Sequence, residues 1–153
     1  MIISRIAAKA EVEECVDLYL KRNDHEFLSA SKKVAIENLD RIVRRNKYVR
    51  IIKSENRIIA WLYADISPVQ HCDRRILQQN YFATNEEGVT AYRVIKLLHE
   101  DLYQFALEHE FHVVISPGSH LDPSNTFVRI LEKLGWERRH YVALKKTPLY
   151  FEP

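Results

Sequence analysis

The sequence predicts a mixed α/β fold: one sheet holding parallel and antiparallel strands, with helices on both faces, in the order β-α-α-β-β-β-α-β-α-β. Three observations lead there. Apolar residues recur at helical spacing before Asn46 and alternate after it. Three strand-like segments then come in succession and can pair as an antiparallel meander. Residues 76–116 read strand, helix, strand, which demands a parallel pair joined by a crossover. A sheet of that mixture needs cover on both sides.

Ile2–Ala7 is a short apolar run and the first strand. Over 11–21, Val12, Val16 and Tyr19 mark a helix. The polar loop Asn23-Asp24-His25-Glu26 comes next. Ser29 or Ser31 then caps a second helix with Ala35, Leu39, Ile42 and Val43 on its apolar face. Segments 48–53 and 57–66 are strands joined by the turn Ser54-Glu55-Asn56, and Pro68 closes the second of them. After a polar connection over 69–75, residues 76–83 form the fourth strand. A long helix starts within 85–90 and runs to Glu108, with Ala91, Ile95, Leu98, Leu102 and Phe105 on one stripe. A fifth strand covers 112–116, and Pro117–Asp122 is a loop. The helix at 123–134 buries Phe127, Ile130 or Leu131, and Leu134; Gly135 stops it, and a last strand takes 137–146. With no internal repeat and no linker, 1–153 reads as a single domain.

At 153 residues, 46% hydrophobic and 29% charged, the chain has the balance of a globular protein with one core. A disordered chain, a collagen-like repeat and a coiled coil are excluded. No segment reaches the roughly 18–20 consecutive apolar residues of a membrane span. The N-terminus is apolar for a few residues and then acidic, which is not the pattern of a secretory leader. Cys15 and Cys72 make no framework, which fits a reducing, cytoplasmic setting. A formal net charge of +2 selects no anionic partner.

The most specific stretch is SNTFVRILEKLGWERR at 124–139, a polar-led helix ending in Lys133-Leu134-Gly135-Trp136. It resembles the C-terminal motif of the GNAT superfamily of N-acetyltransferases, and the element order is similar along nearly the whole chain. Ser124 falls where that family has Asn, with Asn125 one place later. Tyr81-Phe82-Ala83-Thr84 resembles a strand end found in a bacteriophage-encoded branch, which also tends to carry Leu where many members have a thiolate-protonating Tyr; here that residue is Leu131.

The resemblance implies a GNAT-like fold and acetyl-CoA (acetyl-coenzyme A) as co-substrate. It implies a pyrophosphate loop opening the long helix, at Asn85-Glu86-Glu87-Gly88-Val89-Thr90-Ala91-Tyr92-Arg93, where Gly88 and Ala91 match the family's pattern. Backbone N–H groups of Gly88, Val89, Thr90 and Ala91 can bind phosphate at a helix N-terminus, with Arg93 as a cationic clamp. A plain cap competes with this, because Thr84-x-x-Glu87 fits a capping box. The resemblance also implies that the fourth and fifth strands splay, so that backbone at Tyr81, Phe82 and Ala83 holds the thioester and supplies an oxyanion donor. Ser124 and Asn125 complete the coenzyme contacts.

An amine is nucleophilic only when neutral, so a base or water relay must take its proton. Asp65, placed by alternation on the face of Ile59, Trp61 and Tyr63, is one candidate, its pKa expected to rise among the rings. His120 is another, His25 and Glu26 are two more, and Tyr141 is the candidate acid. His25 and Glu26, between the first two helices, are candidate acceptor-binding residues, as are Gln78 and Ser116. Each has a plainer reading as a solvated or packed side chain. His71-Cys72-Asp73 lacks the fourth ligand a structural zinc needs, so a turn and no metal is expected.

Six basic residues and no acid lie between Arg41 and Lys53, a run that can follow a phosphate backbone or simply be a solvated helix end. The leading expectation is an N-acetyltransferase whose acceptor amine, on a small molecule or a protein, attacks acetyl-CoA directly. The alternative is a catalytically silent GNAT-like domain, a binding or structural component in weak contact with nucleic acid through 41–53. The fold is compatible with a homodimer, no membrane contact is expected, and the phage likeness implies a host-cell cytoplasm.

Overall fold

The computed structural model describes residues 2–22, 31–45, 47–66, 73–116, 126–137 and 148. Its elements are β1 (Ile2–Ile6), α1 (Val12–Arg22), α2 (Lys32–Arg44), β2 (Tyr48–Ser54), β3 (Arg57–Ile66), β4 (Ile76–Thr84), α3 (Gly88–Glu108), β5 (Val113–Ile115) and α4 (Thr126–Lys133), with a short 3-10 turn at Lys9–Glu11 ahead of α1. The strands lie in sequential order from β1 to β5. The first four pair antiparallel, and β4 pairs parallel with β5. This is the mixed sheet expected from the change of periodicity. The last strand expected over 137–146 lies outside the described residues beyond Glu137.

Local chemistry sets the boundaries. Ser31, not Ser29, caps α2, accepting the Val34 N–H at 3.4 Å. Glu55 and Asn56, at φ 52° and 63°, make the tight left-handed turn of the β2–β3 hairpin. Gly135, at φ 93°, lets the Trp136 N–H return to the Leu131 carbonyl at 3.0 Å and close α4.

Two cores sandwich the sheet. On one face Val12, Cys15 and Val16 of α1 and Leu39 of α2 pack against Val49, Ile51, Ile58, Trp61, Tyr63 and Ala83. On the other, Val94, Leu98, Leu102 and Ala106 of α3 pack against Ile52, Ile59, Leu62 and Leu77. Two register shifts decide which side chain faces where. One between Ile52 and Lys53 leaves Ile59 as an extra residue, so Ile58 and not Ile59 shares a face with Trp61 and Tyr63. That corrects the simple alternation, and the Ile58 N–H is taken up by Glu14 at 2.7 Å. The second shift makes Asn80 the extra residue of β4.

Candidate functional site

Pairing between β4 and β5 covers only Ile76–Val113, Leu77–Val114 and Gln78–Ile115. From Gln79 to Thr84, the edge of β4 turned away from β3 has no strand partner among the described residues. Alternate N–H and C=O groups of that edge are left open to a ligand.

At the far end of this edge begins α3. Its N-cap is Glu87, which makes no side-chain cap bond. The Thr84–Glu87 capping box therefore does not form. Thr84 Oγ1 instead donates to the Ile59 carbonyl at 2.8 Å and accepts the Glu86 N–H at 3.1 Å. Ala91 N–H bonds the Glu87 carbonyl at 3.4 Å and closes the first helical turn. That removes Ala91 from the expected set of free donors and leaves the amides of Gly88, Val89 and Thr90 without a partner among the described residues. Gly88 has φ 58° and faces open space, so the loop backbone is unshielded. Val89 and Arg93 are exposed, and Arg93 makes no ion pair among the described residues.

The middle of β4 is split between faces by the Asn80 bulge. Tyr81, 42% exposed, turns toward α1 and joins Tyr19, Trp61 and Tyr63 in an aromatic wall, with centroid separations of 5.4, 6.3 and 6.0 Å. Phe82 points the other way, stacking on Phe127 at 5.0 Å, and Ala83 is buried in the α1 core. For those two residues only the backbone can meet a ligand at the edge.

Gln79 is the buried polar residue that sequence reading missed, 4% exposed among Gln78, Gln79 and Asn80. Its Oε1 position lies 2.7 Å from His99 Nε2 and 2.8 Å from Ser116 Oγ. His99 is fully buried and its Nδ1–H donates to the Ile95 carbonyl at 2.7 Å. Burial pushes its pKa down to about 4 against that bond, so the ring is neutral and Nε2 is an acceptor. The Gln79 amide must then present its NH2 there, one hydrogen to His99 and one to Ser116. Ser116, just past the last paired residue of β5, thereby keeps its own proton free to donate where the strands part. The signal in the sequence was a histidine four residues after Ile95 and three before Leu102, on the apolar stripe of α3.

Asp65 faces Tyr63, as expected, but its pKa moves the other way. Burial opposes its charge, yet the Ile66 N–H at 2.8 Å, Lys47 Nζ at 3.2 Å and the Tyr63 hydroxyl at 3.1 Å outweigh burial and hold the carboxyl below its usual value. The expected rise is corrected: a carboxylate so well partnered is a weak base. Burial, then Asp65, pushes the Tyr63 hydroxyl up to about 12. Gln78 stands opposite Asp65 in the β3–β4 register, half-buried. His25, Glu26, His120, Ser124, Asn125 and Tyr141 lie outside the described residues. So do His71 and Cys72, while burial pushes the Cys15 thiol up to about 12 and leaves it unreactive.

The basic run does not form a free stripe. Arg44 pairs with Asp40 at 2.7 Å, Lys47 with Asp65 at 3.2 Å, Arg50 with Asp101 at 2.8 Å and Lys53 with Glu11 at 3.1 Å. Arg41 and Arg45 remain, both lining a cleft of about 810 Å³ between α1, α2 and the aromatic wall.

A meander followed by a parallel strand, with an open-ended helix crossing between them, is the fold of the GNAT acetyltransferases, and this chain has that fold. Among solved structures it is similar to a possible acetyltransferase from Clostridium difficile 630, with TM-score 0.71 and 10% identity over 96% of this chain and 97% of that one. An aminoglycoside N-acetyltransferase in complex with CoA gives TM-score 0.70 and 16% identity over 97% and 95%. Glucosamine-6-phosphate N-acetyltransferase from Arabidopsis thaliana gives 0.67 and 12% over 95% and 98%. No family model and no curated protein sequence matches the chain. No helix among the described residues is long and apolar enough to cross a membrane.

Proposed function

We propose that this chain is an acetyl-CoA-dependent N-acetyltransferase built as one domain over 1–153. The observation that carries the reading is the run of amides at Gly88, Val89 and Thr90 that have no partner among the described residues, beside a β4 edge that β5 leaves unpaired. A diphosphate needs N–H donors at a positive helix end, and a thioester arm needs strand backbone to pair with. The aminoglycoside enzyme solved with CoA has the same fold and supports that ligand. Arg93 then faces the phosphates, and Ser124 and Asn125 complete the coenzyme site.

The acceptor amine, neutral at attack, adds to the thioester carbonyl carbon. An N–H of the β4 edge near Tyr81 stabilises the oxyanion of the tetrahedral intermediate. The C–S bond then breaks, the thiolate takes a proton, and the amide product has lost one to the base. His120 is the proposed base and Tyr141 the proposed acid. His25, Glu26 and Gln78 are proposed to border the acceptor, and the likeness at Tyr81-Phe82-Ala83-Thr84 supports a phage-encoded branch acting in a host cytoplasm. The silent, nucleic-acid-associated alternative is disfavoured by the ion pairs that tie up four basic residues of 41–53.

A thermal-shift titration with CoA tests the reading. Saturable stabilisation is expected, abolished in Gly88→Trp and weakened roughly ten-fold in apparent affinity in Arg93→Glu. Absence of any shift at millimolar CoA would overturn it.

A further inference from the structure

The cleft between α1, α2 and the aromatic wall has a chemical polarity that selects its acceptor. Tyr19, Trp61, Tyr63 and Tyr81 form one side. The other is formed by Asn38 and Arg41 of α2 and by Arg45, its C-cap, which succeed one another at spacings of about one helical turn. No carboxylate is among the described residues that line it. Nearby acids are engaged elsewhere: Asp40 holds Arg44, and Glu13 and Asp17 hold Lys32 at 3.4 and 2.9 Å. Arg41 and Arg45 have no ion-pair partner among the described residues. Two uncompensated guanidiniums repel a polycation and reward an anion that binds them in a fork.

We propose that the acceptor is a primary amine on a flat apolar or aromatic body whose far end carries a carboxylate or phosphate. The anion meets Arg41 and Arg45, the body lies on the aromatic wall, and the amine reaches Tyr81 at the open edge of β4. Among the described residues of the cleft, these charges disfavour a polycation such as an aminoglycoside. This inference rests on the transferase reading, because it takes the cleft as the acceptor side of the β4 edge.

Quenching of tryptophan fluorescence reads binding without any coenzyme, since Trp61 lines the cleft. The probes are 4-(aminomethyl)benzoate, 4-(aminomethyl)phenyl phosphate, benzylamine and spermidine. The better of the two anionic probes is expected to bind at least roughly ten-fold tighter than benzylamine, with spermidine weakest. Whichever of the two binds tighter identifies the anion. In the Arg41→Glu, Arg45→Glu double variant the anionic preference should vanish, while the thermal shift with CoA stays as in the wild type. Equal or tighter binding of benzylamine or spermidine, or an unchanged preference in the double variant, would overturn the proposal and leave the transferase reading standing. Loss of the CoA shift in the wild type would instead remove that reading, whatever the fluorescence shows.

Discussion

Protonating His99 would place a charge in a site with no exposed surface, boxed by Phe82, Phe127 and Trp136 at 5.6, 5.2 and 5.7 Å. The unfolded chain takes that proton near the ordinary histidine value of 6.5, the folded chain only near 4. Between those values the unfolded state binds more protons, so stability falls as pH falls, by about 3 kcal/mol across the window. Denaturant titrations from pH 7 to 4 should show this loss, and His99→Gln should flatten it; an unchanged slope in the variant would contradict the assignment. Glu11 occupies a lower window. Burial opposes its charge, but Arg5, the Ala8 N–H and Lys53 bring its pKa down to about 2, so its contribution is present above 4.5 and lost towards 2. Among these residues the sequence exposed Gly88 and Gly135, because glycine is rare here and each marks a positive φ. It hid Gln79 and His99, since a buried polar pair is recognised only once the strand and helix that carry it are packed together.

At the scale of elements, the strands and helices expected within the described residues form close to the expected places because their periodicity is strong over many residues. The register shifts at Ile59 and Asn80 were not legible, since a bulge leaves composition untouched and only reverses the faces of the residues beyond it. That reversal is what puts Tyr81 on the α1 side and Phe82 on the α3 side. Deleting Asn80 makes Gln79 and Tyr81 neighbours, and since they already face opposite sides of the sheet both keep their faces. We expect the variant to retain strand content by circular dichroism, the Tyr63–Tyr81 stacking and the His99–Gln79 bond, and to stay within about 1 kcal/mol of wild-type stability. A loss of about 2 kcal/mol or more, the cost of leaving the buried His99–Gln79 pair unmade, would show that the extra residue is needed to hold both faces. The basic run is a second case: six cations adjacent in sequence separate in space once the helix ends and the strand begins, and only the partners on β3, α3 and the turn before α1 reveal which stay free.

For the whole molecule, two openings meet at Tyr81: the α3 amides and unpaired β4 edge on one side, and the arginine-and-aromatic cleft on the other. The proposed transferase needs two substrates to converge on one carbonyl, and Tyr81 is where the proposal puts it. Acids in the loop, Glu86 and Glu87, were the feature of the sequence that weighed against a phosphate site; Glu87, the N-cap, makes no side-chain cap bond, which supports the proposed anion site. Calorimetry comparing CoA with pantetheine, which lacks the diphosphate, tests this most directly. CoA should bind at least roughly a hundred-fold more tightly than pantetheine, with the difference collapsing in Gly88→Trp. Equal affinities for the two ligands in the wild-type protein would contradict it.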